Sequence, residues 1–324
     1  MHSSLIVAAF VWLAGLVASH GGSLATEVLK RGEFLATNGL ALLHARDVCG
    51  AGTSADEASY IRLARDLHEQ SNLARFLTQH AARNFTDYDH SHESNDGFHL
   101  DTDPHEIFSK YPACALSPDA TEGPYYVEGE LVRSEIIDGQ PGIPLYLKIR
   151  VKDIEKCTDV SNVFVEIWHT NATGVYSGVD QQHDMTFCRG LQKTDDMGVV
   201  SFLTIFPGHY YGRTPHIHVA VHVDAKQEAD NSVHDNTVSM NAQVYFDQDL
   251  IHAVEKTSPY DTNTQEFTTN EDDRFLGQEA SAQFDPFVYW IPVAKRVEDG
   301  LIAWITVGAN MTEHRELSVA DHRS

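Results

Sequence analysis

The sequence has little positive charge. Lys and Arg number 23 against 47 Asp and Glu, which gives a net charge of -24 over 324 residues. A surface this acidic repels phosphate groups, so the composition speaks against nucleic acid and anionic membranes as partners. The acidity favours solubility but does not identify a substrate.

Cysteine is also scarce. The four cysteines are Cys49, Cys114, Cys157 and Cys188, and no two of them form a CxxC pair, which speaks against a structural zinc site. Their even number predicts two disulfides formed in an oxidising compartment. The pairing among three alternatives is open.

Long apolar runs are absent except near the N-terminus. Leu5 to Ala18 is an unbroken apolar run of 14 residues, too short to span a bilayer. Small residues follow at Ala18-Ser19, so residues 1–19 are predicted to be a signal peptide of a secreted, extracellular protein, with a buried or anchor helix as the alternative. Sequons at Asn84, Asn171 and Asn310 are compatible with a secreted glycoprotein.

Residues 20–110 are predicted to form a helical arm and a polar linker. Ser54 and Glu57 have the spacing of a capping box, and leucines such as Leu63 and Leu67 follow a helical stripe. An amphipathic arm too small to fold alone is expected to dock on the main domain or on a second subunit, and the second option predicts a homodimer. Residues 86–110 are acidic and rich in histidine, and we interpret them as a solvated linker rather than a metal-binding tract.

Short strands dominate from about residue 111. Strands are predicted at 145–152, 163–168, 199–205, 216–223, 243–246 and 303–307. In the first of them Leu147, Ile149 and Val151 are expected to point inward, and Lys148, Arg150 and Lys152 outward. Strands without intervening helices predict a mainly β fold, an antiparallel β-sandwich over 111–310 followed by a tail at 311–324. The polar stretches 224–241 and 250–287 are expected to frame a binding site, with disorder or a partner contact as alternatives.

One strand carries a pair of candidate metal ligands. His216 and His218 alternate with Ile217, so their side chains share a face about 6.6 Å apart at Cα. His222 lies about 13 Å further along and is a poor third ligand. The remaining ligands must come from elsewhere, and tyrosines are the nearest candidates. Taken alone, the pattern is more typical of one packed and one surface histidine than of a metal site.

Several segments in order resemble the intradiol ring-cleavage dioxygenases, the superfamily of catechol and protocatechuate 3,4-dioxygenases. The matching segments are TEGPYY (121–126), WHTNATGVYSG (168–178), RGLQKTD (189–195), FPGHYYGRTPHIH (206–218), AQVYF (242–246) and EDGLIAW (298–304). The resemblance covers roughly residues 114–310. It implies a non-haem Fe(3+) ion held by Tyr176, Tyr210, His216 and His218.

The same resemblance implies the substrate and the other site residues. Arg213 and Gln243 would act beside the iron, with Arg213 stabilising negative charge and Gln243 orienting it or the substrate. Gly123, Pro124 and Tyr125 would line the substrate pocket. The implied reaction uses O2 to cleave a small aromatic diol between its two hydroxyl-bearing carbons, and gives a cis,cis-muconate-type product. Phenolate is a hard, strongly donating anion and suits Fe(III).

Some assignments have rivals. Tyr211 competes with Tyr210, which is preferred for its Pro-Gly-x-Tyr spacing, and His169 and His209 are expected to support the site rather than to bind metal. Thr170 stands where secreted relatives often carry cysteine, so the disulfide scheme is expected to differ from theirs. The alternative functions are a non-catalytic secreted β-sandwich binding module and a copper protein using His20. No basic cluster marks a carboxylate pocket, which favours catechol-like rings.

Overall fold

The structure is a computed structural model that describes residues 91–111, 120, 123–280 and 285–322. The predicted signal peptide, most of the helical arm, Asn84, Cys49 and Cys114 lie outside the described residues. Among the residues described, no helix is long and apolar enough to cross a membrane.

The described chain is built mainly from strands. Fourteen strands are found: β1 (Val127–Glu128), β2 (Glu130–Leu131), β3 (Pro144–Asp153), β4 (Phe164–Trp168), β5 (Arg189–Lys193), β6 (Val199–Ile205), β7 (His216–His222), β8 (Ser232–Val233), β9 (Thr237–Val238), β10 (Met240–Tyr245), β11 (Tyr289–Pro292), β12 (Leu301–Ala309), β13 (Arg315–Glu316) and β14 (Asp321–His322). The α-helices of the described part are α1 (Pro104–Lys110), α2 (Gln248–Val254) and α3 (Leu276–Glu279). The mainly β fold predicted from the sequence is confirmed.

Two four-stranded sheets carry the core. The first has the order β11-β12-β3-β6, in which β12 and β3 are parallel, and the second has the antiparallel order β10-β7-β4-β5. Alternate residues of both sheets meet in one buried cluster that includes Leu147, Ile149, Ile167, Ile217 and Val219. Because alternate side chains of a strand point to opposite faces, the neighbours of these apolar residues lie on the outer faces of the sandwich.

The outer face of the first sheet is covered by the segment before the sandwich. Arg150 points outward from the core, as predicted, but is only 6% exposed. Its guanidinium donates to the Phe108 and Tyr111 carbonyls at 3.2 and 3.1 Å. Asp103 caps α1 by accepting from the backbone N–H of His105. The polar linker predicted over 86–110 is therefore a packed part of the domain from residue 91 onward.

A buried histidine ties this covering segment to the sandwich. The ring of His92 is bonded to Asp247 through Nδ1 at 2.6 Å and to Asp285 through Nε2 at 3.0 Å. Trp290 Nε1 also donates to Asp247, at 2.8 Å. Burial by itself would lower the pKa of His92, but the two carboxylates outweigh it and raise the pKa to about 9.

The C-terminal residues form a strap across the outer face of the second sheet. Within this strap, residues 315–322, β13 pairs with β9 and β14 pairs in parallel with β1. Leu317 is 2% exposed and belongs to the same apolar cluster as Tyr126 and Trp168. Part of the predicted tail thus pairs and packs with the sandwich.

The prediction of two disulfides is wrong. Cys157 is disulfide-bonded, but Cys188 is a free cysteine, fully buried in the cluster between the sheets. Counting cysteines could not show that one of them packs as a small apolar side chain.

Candidate active site

The two histidines of β7 lie on the outer face of the second sheet. Ile217 and Val219 belong to the core cluster, whereas His216 and His218 point the other way. Both imidazoles are almost fully buried, and their ring centroids are 5.0 Å apart. β7 therefore places two imidazoles next to each other in one buried region.

Two tyrosines from different loops reach the same place. Tyr210, in the turn before β7, has its hydroxyl 3.4 Å from His216 Nε2. Tyr176, in the loop after β4, lies with its ring centroid 5.6 Å from that of Tyr210 and 6.3 Å from that of His218. Tyr211, the rival of Tyr210, is 44% exposed. The structure thus brings all four predicted ligands together and leaves Tyr211 at the surface.

The ring of His216 is oriented by the backbone. Its Nδ1 lies 2.7 Å from the Thr214 carbonyl oxygen, which can only accept a hydrogen bond. The Nδ1 atom therefore carries the proton, and the lone pair of Nε2 faces the Tyr210 hydroxyl. This arrangement is typical of metal-binding histidines, whose second nitrogen is held by a protein acceptor.

Burial holds both tyrosine hydroxyls in their neutral form in the absence of a cation. Desolvation raises the pKa of Tyr176 well above its usual value, and the neighbouring Tyr210 raises it further. Desolvation also raises the pKa of Tyr210, against the lowering effect of Arg213. Among the described residues, the Tyr176 hydroxyl is a buried polar group that interacts with Tyr210 and has no hydrogen bond that meets the usual geometric criteria.

These groups fit a ferric ion. In the described part of the chain, no group of three or more His, Cys, Asp or Glu side chains is placed to hold a metal ion. The site instead offers two imidazoles and two phenols, and phenolate oxygen suits hard Fe(III). A trivalent cation would hold both phenols deprotonated and would give the buried Tyr176 oxygen a charged partner.

Arg213 and Gln243 lie together beside the histidines. Gln243 is opposite His218 in the β10–β7 pairing. Arg213 Nη2 donates to Gln243 Oε1 and to the Tyr245 hydroxyl, the latter at 3.0 Å, and Tyr245 in turn donates to Gln243 Oε1 at 2.8 Å. Arg213 Nε donates to Asp273 Oδ2 at 2.9 Å. The sequence analysis did not identify Tyr245, although this residue shares a strand face with Gln243. It also did not identify Asp273, because the polar loop 250–287 has no pattern that indicates a site residue.

The predicted pocket segment touches two of the candidate ligands. A Cβ added at Gly123 would lie 3.3 Å from His218 Cε1. The half-buried ring of Tyr125 stacks on Tyr176 with centroids 4.5 Å apart. Desolvation, with the Tyr210 charge second, raises the pKa of Tyr125 to about 12. Pro124 lies half-buried between these two residues.

A second buried arginine supports the loop that carries Tyr176. Arg189 is fully buried at the start of β5, and its Nε donates to the Ser177 carbonyl at 2.9 Å and to the Ser177 hydroxyl at 3.1 Å. Its guanidinium carbon lies 5.8 Å from the centre of the Tyr176 ring. Sequence reasoning quoted the RGLQKTD motif but assigned no role to this arginine.

Other histidines are held by protein groups away from the four ligands. His169 bonds the Thr170 carbonyl and the Thr204 hydroxyl, both at 2.8 Å, and burial lowers its pKa to about 4. His209 bonds Glu255 at 2.8 Å and His222 bonds Glu166 at 2.9 Å. Each has a structural partner that accounts for its position.

The chain is similar to known dioxygenases in sequence and fold. A family model described as dioxygenase matches residues 121–266. The fold is similar to the intradiol ring-cleavage dioxygenase from Tetranychus urticae, with a TM-score of 0.54 and 29% identity, covering 63% of this chain and 98% of that one. A second solved dioxygenase gives a TM-score of 0.53 and 28% identity, covering 64% of this chain and 98% of that one.

A curated relative shows similarity over a shorter stretch. Catechol 1,2-dioxygenase 2 from Acinetobacter lwoffii is 35% identical over 98 residues, which is 29% of this chain and 35% of that protein. The chain thus matches about a third of the length of this curated relative. Together the matches show that residues 121–266 are similar in sequence to dioxygenases, which are oxidoreductases, and that the fold is similar to that of solved dioxygenases. The resemblance to intradiol ring-cleavage dioxygenases predicted from the sequence is therefore confirmed as a similarity of sequence and fold.

Proposed function

We propose that the protein is a secreted, non-haem Fe(III) intradiol dioxygenase that cleaves catechol-type rings. The observation that carries this proposal is the burial of two phenols and two imidazoles in mutual contact on one sheet face. The arrangement offers four ligands to one ion and leaves Arg213 beside it. The relative named as a catechol 1,2-dioxygenase supports a catechol-like substrate.

The candidate site residues would have different roles in the reaction. Tyr176, His216 and His218 would hold iron throughout, and ferric iron, when bound, supplies the electron-accepting centre that makes an aromatic diol reactive toward O2. Tyr210 lies beside Arg213 and, in the phenolate form that a bound cation would stabilise, is placed to accept a proton from a diol hydroxyl. Arg213 forms an ion pair with Asp273 through its Nε, and the rest of its guanidinium group would stabilise negative charge on a substrate oxygen.

In the proposed overall reaction, both oxygen atoms of O2 are incorporated into the product. The bond between the two hydroxyl-bearing carbons breaks, and each of these carbons ends as a carboxyl group. The product of catechol itself is cis,cis-muconate. Tyr125, stacked on Tyr176, and Gly123, which leaves room beside His218, would form part of the wall against which the ring lies.

The location and assembly of the protein are also part of the proposal. The apolar run at residues 5–18 supports secretion with removal of residues 1–19, and an intact N-terminus on protein recovered from the culture medium would contradict it. The amphipathic arm supports a homodimer.

The test is the colour of the iron-loaded protein. The wild type is expected to bind one iron per chain and to show a visible tyrosinate-to-iron charge-transfer band. Tyr176→Phe and Tyr210→Phe are each expected to weaken or shift that band and to lower catechol-dependent O2 uptake at least about 100-fold, because each removes a phenolate ligand. Tyr211→Phe is the matched control, since Tyr211 is exposed.

A colourless iron-loaded wild type would contradict the ligand set. An iron-free protein that binds a ligand without consuming O2 would instead support the alternative, a secreted β-sandwich binding module.

A further inference from the structure

We propose that Asp273 is a positioning residue that sets both Arg213 and His216 for the reaction. The inference rests on the proposed function and deepens it, because it assigns to the polar loop 250–287 a direct contact with Arg213 and an indirect effect on His216. Asp273 touches neither the predicted ligands nor the place where a diol would lie. It acts through the short segment 213–216.

One carboxylate oxygen of Asp273 accepts hydrogen bonds from two consecutive residues. Asp273 Oδ2 accepts from Arg213 Nε at 2.9 Å and from the backbone N–H of Thr214, also at 2.9 Å. Arg213 and Asp273 are each 1% exposed. The arginine is therefore fixed at its Nε edge, while its Nη2 is directed to Gln243 and Tyr245.

Asp273 also acts on His216, through the backbone of Thr214. The Thr214 unit that donates its N–H to Asp273 also presents the carbonyl that accepts from His216 Nδ1, at 2.7 Å. The Thr214 hydroxyl is fixed as well, because it donates to Asn270 Oδ1 at 2.6 Å. A shift of Asp273 would thus move the acceptor that decides how the His216 ring is turned.

The other carboxylate oxygen fastens Asp273 to its own loop. Asp273 Oδ1 accepts from the backbone N–H groups of Phe275 and Leu276, at 2.9 and 3.1 Å. The guanidinium carbon of Arg213 lies 4.7 Å from the centre of the Phe275 ring. Both oxygens of Asp273 face N–H donors, so an amide at this position would turn its NH2 group toward donors in either orientation.

Asp273→Asn is therefore the sharpest substitution. It keeps the size of the side chain, removes the charge opposite Arg213 and spoils the two hydrogen bonds at one of the two carboxylate oxygens. Asp272→Asn is the matched control, since Asp272 is the exposed neighbour and bonds only locally with Thr269. Both variants are made in the full chain and loaded with iron.

The expected result separates positioning from folding. Asp273→Asn is expected to keep its iron, to shift the visible band and to lower kcat for catechol about 10- to 100-fold, the usual cost of losing a group that orients a site residue. Asp272→Asn is expected to match the wild type in band, kcat and KM. If Asp273→Asn lowers Tm but keeps the wild-type band, kcat and KM, the residue is merely structural and the proposal is overturned.

A double-mutant cycle with Arg213→Lys tests whether Asp273 acts through the arginine. The loss in the double variant is expected to be much smaller than the product of the two single losses, whereas independent effects would multiply and overturn the proposal. If Asp273→Asn does not fold, Asp273→Glu takes its place, because it keeps the charge and displaces the carboxylate. A wild-type kcat and band in Asp273→Glu would overturn the proposal. A wild type that shows neither colour nor O2 uptake would contradict the proposed function itself. That outcome differs from every outcome that overturns only the role of Asp273.

Discussion

Gly123 shows how a single missing methyl group shapes the site. Its φ of +71° lies in the left-handed region, and a Cβ there would come within 3.3 Å of His218 Cε1. Gly139 has nearly the same backbone, with a φ of +72°, but nothing lies within 4 Å of the corresponding Cβ position. The two glycines differ in their surroundings and not in their conformation.

Alanine at these two positions separates backbone strain from contact with the site. Both Gly123→Ala and Gly139→Ala are expected to lower the free energy of unfolding by about 1–2 kcal/mol, the cost of a side chain in the left-handed region. Only Gly123→Ala is expected to displace His218, which would lower iron affinity about 10-fold or more. Chemical denaturation and iron titration measure the two effects. Equal iron affinity in both variants would contradict the role of Gly123.

The sequence predicted which side chains come together at the candidate site better than it predicted the residues that position them. The period of two along a strand was enough to place His216 and His218 on one face. Tyr176 and Tyr210 were found only through the family resemblance, since their loops have no period from which a direction can be derived. Asp273 was out of reach because it lies in a distant, unpatterned loop, and only the folded chain brings it to Arg213.

At the scale of elements, the segment 91–111 shows why a polar composition does not imply a linker. Some of its polar residues are paired with partners on the sandwich, as His92 is with Asp247 and Asp285, and others pair within the segment, as Lys110 does with Asp96. Strand alternation placed Arg150 on the outer face, but it cannot tell whether another segment covers that face. The alternation of β3 was nevertheless predicted correctly for its inward residues.

The His92 contact gives the domain a predictable dependence on pH. The pKa of His92 is about 9 in the folded protein, against an ordinary value of 6.5. Because the folded pKa is the higher one, the stabilising effect is fully present below pH 6.5 and is lost as the pH rises through 9. The loss amounts to roughly 3 kcal/mol in the free energy of unfolding.

Urea unfolding at pH 6.5 and pH 9.5 measures this loss. His92→Gln is expected to abolish the part of the pH dependence that comes from this residue. His105→Gln, at a half-exposed histidine on α1, is the control and is expected to keep it. A wild-type pH profile in His92→Gln would show that the ion pairs contribute nothing.

At the scale of the whole molecule, the arm preceding the described domain determines the expected assembly. Residues 20–85 carry an amphipathic stripe in the sequence, and a stripe of this kind needs a surface to cover it. Removal of residues 20–85 is expected to convert a homodimer into a monomer, as measured by light scattering after size exclusion. Deletion of residues 1–19 alone is the control. An unchanged mass after the longer deletion would contradict the role of the arm.

The parallel pairing of β12 with β3 affects how the molecule is made. Leu301–Ala309 lies in the interior of its sheet, between β11 and the much earlier strand Pro144–Asp153. A chain emerging from the ribosome cannot complete this sheet until Ala309 is free, so one edge of β3 stays open for most of synthesis. Open strand edges invite pairing with other chains. The many acidic residues, which repel one nascent copy from another, therefore serve the protein before it is folded as well as after.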